Sequence, residues 1–192
     1  GETRIDGMSP GEIIKQGISM AFIPEDRLGM GLVGGMDMPD NLLLKTYNDQ
    51  KGFFLNRKEA RKEAADMVER LRIVTPGLHV NIQKLSGGNV QKILLGREIN
   101  LNPRVLITAY PVRGLDIGAS MTIYDMLNEQ KRKGVGILFV GEDLDVMLGL
   151  CDRIMVLCAG RVSAIVESQF ATKALLGMKM AGLVTDKEDE YA

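Results

Sequence analysis

The chain has 192 residues, 45% of them hydrophobic, which is enough for one domain with a real core and too few to expect two. Lysine and arginine number 24 against 25 acidic residues, so no excess positive field draws the domain onto nucleic acid or an anionic membrane. Two cysteines and a single histidine exclude a disulfide framework and a zinc site, and no apolar run reaches the roughly 18 residues of a spanning helix.

In chain order, residues 18–23, bounded by Gly17 and Pro24, read as a short strand. Residues 37–103 then read as a helical insert, in which 57–71 is rich in Ala, Glu, Lys and Arg. His79 follows Pro76 and Gly77 in a loop and is given no role. Strand patterns return at 104–108 and 136–140, and between them 117–132 reads as a helix with Met121, Tyr124 and Leu127 on one face. A further strand at 153–157 is followed by Ala159, Gly160 and Arg161, which suit a tight hairpin, and 172–180 reads as a closing helix. Residues 185–192 are polar and expected to fray. The strands are continuous apolar runs of the kind that parallel strands buried on both faces require. Their order predicts a doubly wound α/β sheet with a helical insert.

Four segments carry chemistry. Leu85-Ser86-Gly87-Gly88-Asn89 leads straight into a helical run containing Val90, Ile93, Leu94 and Arg97. Two glycines let backbone come close to a ligand, Ser86 offers a hydroxyl, and a helix start directs N–H groups and partial positive charge at phosphate. Alone, those five residues are equally an ordinary Ser-Gly-Gly turn capping a helix. Further on, Val105 to Ala109 form a hydrophobic run that continues as Tyr110-Pro111-Val112-Arg113-Gly114-Leu115-Asp116. Pro24-Glu25-Asp26-Arg27 ends the first strand, and Gly141-Glu142-Asp143 ends the strand at 136–140.

Taken in this order, the four segments resemble the motifs of ABC-transporter nucleotide-binding domains: a Q-loop at Glu25, a signature at Ser86, Gly87, Gly88 and Asn89, a Walker B strand with a D-loop at Asp116, and a switch position at Glu142. The resemblance covers residues 1–182. Its closest form is the second half of tandem importer ATPases for simple sugars or nucleosides, marked by Pro-Glu-Asp-Arg, Arg-Gly-Leu-Asp and the Asn that ends the signature. It implies a P-loop NTPase-like ABC ATPase sheet in residues 1–182, with a helical subdomain at about 37–103 and a disordered tail at 183–192. It also implies ATP and magnesium in the full-length protein. The implied partners are the first ABC half of the same protein, transmembrane permease subunits and, indirectly, a substrate-binding protein. The implied location is cytoplasmic, peripheral on the inner face of the membrane.

The pattern is incomplete. No segment matches the phosphate-binding form G-x-x-x-x-G-K-S/T. In the family that loop lies upstream of the Q-loop strand, and residues 1–17 resemble the turn and short helix just before it. The chain therefore reads as truncated ahead of its first motif, with no nucleotide expected to bind tightly to it alone. The Walker B aspartate that would orient magnesium is replaced by Ala109, and the adjacent catalytic glutamate by Tyr110. Losing a general base costs about 10² to 10⁴ in rate. Glu142 puts negative charge where a histidine donor is wanted, a repulsion of about 4 kcal/mol at roughly 4 Å and an effective dielectric near 20.

In the family two such domains pair head to tail, and each signature loop completes the partner's site. The resemblance thus implies that Ser86 to Asn89 serve a competent site, that Ala109, Tyr110 and Glu142 mark a degenerate one, and that Asp116 links the two. Glu25 is either a Q-loop group or a plain surface carboxylate. Met30, Met36 and Met38, with Leu42 to Leu44, form either a permease-facing surface or core filling. The strand missing with the phosphate loop would leave unpaired edges, so self-association, strand exchange or a distorted sheet is expected. Two rival readings stand beside this one. One is a noncatalytic module that completes another ATPase. The other is half of a DNA-repair or chromosome ATPase, which would need upstream heptads and an intact Asp-Glu pair.

Overall fold

The computed structural model describes residues 4–50 and 55–183, and the polar tail expected to fray lies outside them. The chain divides into two compact units, one ending at Val140 and one beginning at Gly141.

The first unit opens with α1 (Pro10–Lys15), started by a capping box in which Ser9 and Glu12 satisfy each other's backbone N–H groups. Strand β1 (Met20–Ile23) follows, two residues shorter than the apolar run at 18–23, because the Ser19 carbonyl turns to accept from Arg104 and Val105. A π-helical turn (Arg27–Gly31), capped by the Asp26 carboxylate, leads to α2 (Met38–Thr46) and α3 (Arg57–Arg70). Helix α4 (Gly87–Asn100) runs down the centre of the unit, and β2 (Val105–Ala109), α5 (Ile117–Arg132) and β3 (Gly136–Val140) complete it. Within 37–103 the described residues hold α2, α3 and α4, joined between α3 and α4 by non-helical chain at 71–81 and a short 3-10 turn (Ile82–Lys84).

The three strands form one parallel sheet in the order β1-β2-β3, with Phe22 opposite Ile107 and Ile107 opposite Leu138. Ala21, Ile23 and Leu106 join one core with Ile93, Leu94 and Leu95 of α4 and with Ile123 and Leu127 of α5. The other face differs from expectation. Met20 and Phe22 of β1 and Leu138 and Val140 of β3 are exposed, Met20 at 63%. The apolar runs supply two apolar faces, and among the described residues of the first unit only one of them is packed into the core.

Helix α4 also carries charge into the core. Arg97 donates from Nε to Glu98 (3.0 Å) and from its terminal nitrogen to the Gly31 carbonyl (2.7 Å), while Lys45 of α2 reaches Glu98 at 3.1 Å. Glu98 and Arg97 are buried and Lys45 is partly exposed, so the triad ties the π-helical turn to α4 through a bond that water does not screen and α2 to α4 through one that it partly does. Buried Asn41 closes the loop before α2 by accepting from the Val33 N–H (2.8 Å) and donating to the Val33 carbonyl (3.0 Å). Met38, Leu42 and Leu43 fill the core, whereas Met30, Met36 and Leu44 are exposed.

The second unit contains α6 (Leu144–Leu150), an antiparallel hairpin of β4 (Arg153–Cys158) and β5 (Arg161–Glu167), and α7 (Lys173–Met180). Ala159 (φ 48°) and Gly160 (φ 75°) make the two-residue turn, both in the left-handed conformation that matches strand twist. Ile154, Val156 and Leu176 form its small core, and Lys173 pairs with Asp145 at 2.6 Å to join α7 to α6.

Candidate functional site

Ser86 is the N-cap residue of α4, in an extended conformation, yet its side chain makes no capping bond. Instead Asn89 holds it: Nδ2 donates to Ser86 Oγ (2.9 Å), and Asn89 Oδ1 accepts from the Val74 N–H (3.0 Å). The first-turn N–H groups are therefore left without a side-chain acceptor, at the positive end of a helix of 14 residues. A side chain would crowd Gly88 but meet only ordinary contacts at Gly87. A Cβ on Gly88 would lie 3.0 Å from Ala119 of α5, and one on Gly87 would lie 3.5 Å from the Arg27 guanidinium. Ser86 and Gly87 are exposed.

The loop that follows β2 packs against this start, with Leu115 beside Gly87. Asp116 caps α5 by accepting from the Ala119 N–H at 2.8 Å, so its carboxylate is committed to holding that helix. Glu25, just after β1, forms an ion pair with Arg113 of the loop that follows β2. Arg27 donates from Nε to Gln91 on the first turns of α4 (2.8 Å) and from its terminal nitrogen to the Arg113 carbonyl. Burial pulls the Arg27 guanidinium below the ordinary arginine value, with the Glu25 charge opposing it. Three motifs, from the ends of β1 and β2 and the start of α4, thus meet at one arginine. Arg27 and Arg113 stand in the sequence as branch markers, Pro-Glu-Asp-Arg and Arg-Gly-Leu-Asp, but their partners lie 64 to 88 positions away.

Ala109 ends β2 opposite Val140, and Tyr110 follows it with φ 48°. The left-handed region costs a residue with a Cβ about 1–2 kcal/mol. It is held by the Tyr110 N–H donating to the Val140 carbonyl (2.9 Å) and by Arg113 lying over the ring at 5.8 Å. Just before it, buried Thr108 Oγ1 has no partner among the described residues, and the same is true of Gln91 Nε2. Glu142 belongs to the second unit, where it is an exposed residue of the turn before α6.

The residues fit the two parts of magnesium ATP unequally. The start of α4, with an accessible Ser86, close-approach glycines and unaccepted N–H groups, fits a phosphate group. The end of β2 does not fit magnesium: the Ala109 methyl and the Tyr110 phenol supply no carboxylate where the metal would be held.

No protein-family model matches the chain. It is 39% identical over 154 residues to the xylose import ATP-binding protein XylG of Moorella thermoacetica, a match covering 80% of this chain and 31% of that protein. It is 37% identical over 178 residues to a putative ribose/galactose/methyl galactoside import ATP-binding protein of Burkholderia lata, covering 89% and 33%. It is likewise 37% identical over 188 residues to the guanosine import ATP-binding protein NupO of Bacillus subtilis, covering 96% and 36%. The chain thus spans about a third of the length of these relatives. Among solved structures it resembles the ATP-binding cassette MJ0796 in a post-hydrolysis dimer bound to ADP and Pi, with a TM-score of 0.68 at 20% identity over 85% of this chain and 69% of that one. The cassette MJ1267 gives a TM-score of 0.67 at 21% identity, over 93% and 72%. The fold is therefore that of an ABC ATPase cassette, and the sequence relatives place it more closely. The chain belongs to the family of ABC-transporter nucleotide-binding domains, and its relatives are ATP-binding proteins of sugar and nucleoside import.

Proposed function

We propose that this chain is part of the energy-coupling component of an importer for a simple sugar or nucleoside, and that it donates its signature loop to an ATP site completed by another ABC half. The observation that carries the reading is the start of α4: Ser86 is held by Asn89 rather than spent on a cap, so its hydroxyl and the helix N–H groups remain available to an incoming phosphate. A helix start of this kind stabilises an anion by about 0.3–1 kcal/mol when exposed and up to about 2 kcal/mol when partly buried. That is too little to hold a nucleotide alone and enough to complete a site whose other wall supplies the phosphate loop.

In the same reading the site on the chain's own side is degenerate. Ala109 and Tyr110 provide neither a metal-orienting carboxylate nor a general base, and Glu142 supplies negative charge at the switch position. ATP and magnesium belong to the assembled protein, with the first ABC half and the permease subunits as partners at the inner face of the membrane. Among the described residues no helix is long and apolar enough to cross a membrane. Relatives named for xylose, ribose or galactose, and guanosine import support the substrate class.

The test is the association of this chain with an ABC half that carries a phosphate loop, followed by analytical ultracentrifugation with and without ATP. Association that requires ATP and disappears in Ser86→Arg is the expected result. Association that ignores both nucleotide and the substitution would sink the reading.

A further inference from the structure

A groove of about 480 Å³ lies on the first unit, between the last turn of α3, the middle of α4 and the C-terminal half of α5. Arg70, Arg72, Lys92, Arg132 and Lys133 line it against only two carboxylates, Asp125 and Glu129. Five positive charges to two negative leave a local surplus of three in a chain whose net charge is −1. Three of the five bases have partners: Lys133 pairs with Glu129 (2.6 Å), Arg70 donates to Asn100 (2.7 Å), and Lys92 donates to the Arg72 carbonyl (3.3 Å). The Arg72 and Arg132 guanidiniums have no hydrogen bond or ion pair among the described residues. The field is felt by Glu129, whose carboxyl is held below its usual range by Lys133 first and then by Arg132 and Arg70.

The backbone singles out Arg72. Helix α3 ends in a Schellman motif, with the Ile73 N–H donating to Val68 (3.0 Å) and the Arg72 N–H to Glu69 (3.3 Å). Arg72 occupies the left-handed position of that motif at φ 49°, where glycine is the usual residue and a side chain costs about 1–2 kcal/mol. Arg72 is one of four described non-glycine residues with positive φ, and of these it alone lines the groove.

We propose that this groove binds a small soluble anion carrying a diphosphate or two phosphate groups, with Arg72 and Arg132 as principal donors. Guanidinium forks match phosphate oxygens in pairs, and the volume far exceeds what one phosphate fills. Leu71, Ile99 and Met126 give the groove apolar wall for the body of such a ligand. Its concave form between three helices suits a soluble anion rather than a flat bilayer surface.

Pyrophosphate is the probe, titrated calorimetrically into the full chain, into Arg72→Gly and Arg132→Glu, and into Lys62→Glu as a charge control away from the groove. The unaltered chain and Lys62→Glu should bind saturably, and the two groove variants should each lose about tenfold or more in affinity. Arg72→Gly should at the same time raise the thermal midpoint, because glycine relieves the left-handed strain, so weaker binding there does not reflect unfolding. No saturable binding, or equal affinity in all four proteins, would overturn the proposal. Retention on phosphatidylglycerol vesicles that pyrophosphate cannot compete off would overturn it as well.

Discussion

The Arg27 guanidinium donates to the Gln91 side chain and to the Arg113 backbone, and Arg113 in turn pairs with Glu25, so the three loops are held by charge-assisted hydrogen bonds around one centre. Gln91 is fully buried and its Nε2 already lacks a partner, so removing the bond to Oε1 leaves the whole amide unsatisfied. Arg27→Ala should therefore lower stability by about 1.5–3 kcal/mol, read as a shift in urea midpoint at constant slope. The Arg113–Glu25 pair is exposed, and Glu25→Gln should change stability by less than about 1 kcal/mol. The sequence displays Arg27 and Arg113 as motif residues but not their bonding, because their partners are set by tertiary approach rather than local spacing. Tyr110 shows the same limit: tyrosine carries no local signal for a positive φ, and only the strand end and the Arg113 contact explain it. Ser86 and Asn89 were legible as a loop at a helix start. That Asn89 Nδ2 donates to Ser86 Oγ, leaving the hydroxyl proton and the first-turn N–H groups free, is set by side-chain geometry that no local sequence signal carries.

At the scale of elements, α4 joins core and site, since the helix that presents Ser86 at one end buries Arg97 and Glu98 near the other. Glu98→Ala would strand Arg97 in the core, and a loss of about 3–5 kcal/mol is expected in chemical denaturation, against a smaller loss for Lys45→Met at the exposed end of the triad. If Glu98→Ala proved neutral, the triad would not be what anchors the π-helical turn to α4. Elements with strong local period read directly in their bounds, α5 at Ile117–Arg132 and β3 at Gly136–Val140, although α5 buries Ile123, Met126 and Leu127 and leaves Met121 exposed. Strands β1 and β2 shift by one or two residues, because their ends are decided by the Ser19 and Tyr110 backbone bonds rather than by hydropathy. Burial on both sheet faces did not follow from apolar strands, since hydropathy reports what a face is made of and not whether anything covers it.

For the whole molecule, the sheet face bearing Met20, Phe22, Leu138 and Val140 is exposed, and on the hairpin of the second unit Met155, Leu157 and Ile165 are exposed too. Parallel sheets are normally covered on both sides, so these faces should drive self-association of the isolated chain. Light scattering should show concentration-dependent oligomers that Phe22→Lys with Leu138→Lys weakens, and a monodisperse monomer at all concentrations would count against this. The chain spans about a third of its relatives' length, and in the function proposed above ATP hydrolysis belongs to its assembly with another ABC half. The measurement that bears most directly on the proposed division of labour is steady-state ATP hydrolysis by that assembly, with Ser86→Arg compared with Ala109→Asp. A signature loop that serves the partner's site predicts a fall of about 100-fold or more for Ser86→Arg and no gain for Ala109→Asp. Unchanged turnover in Ser86→Arg, or a marked gain in Ala109→Asp, would contradict it.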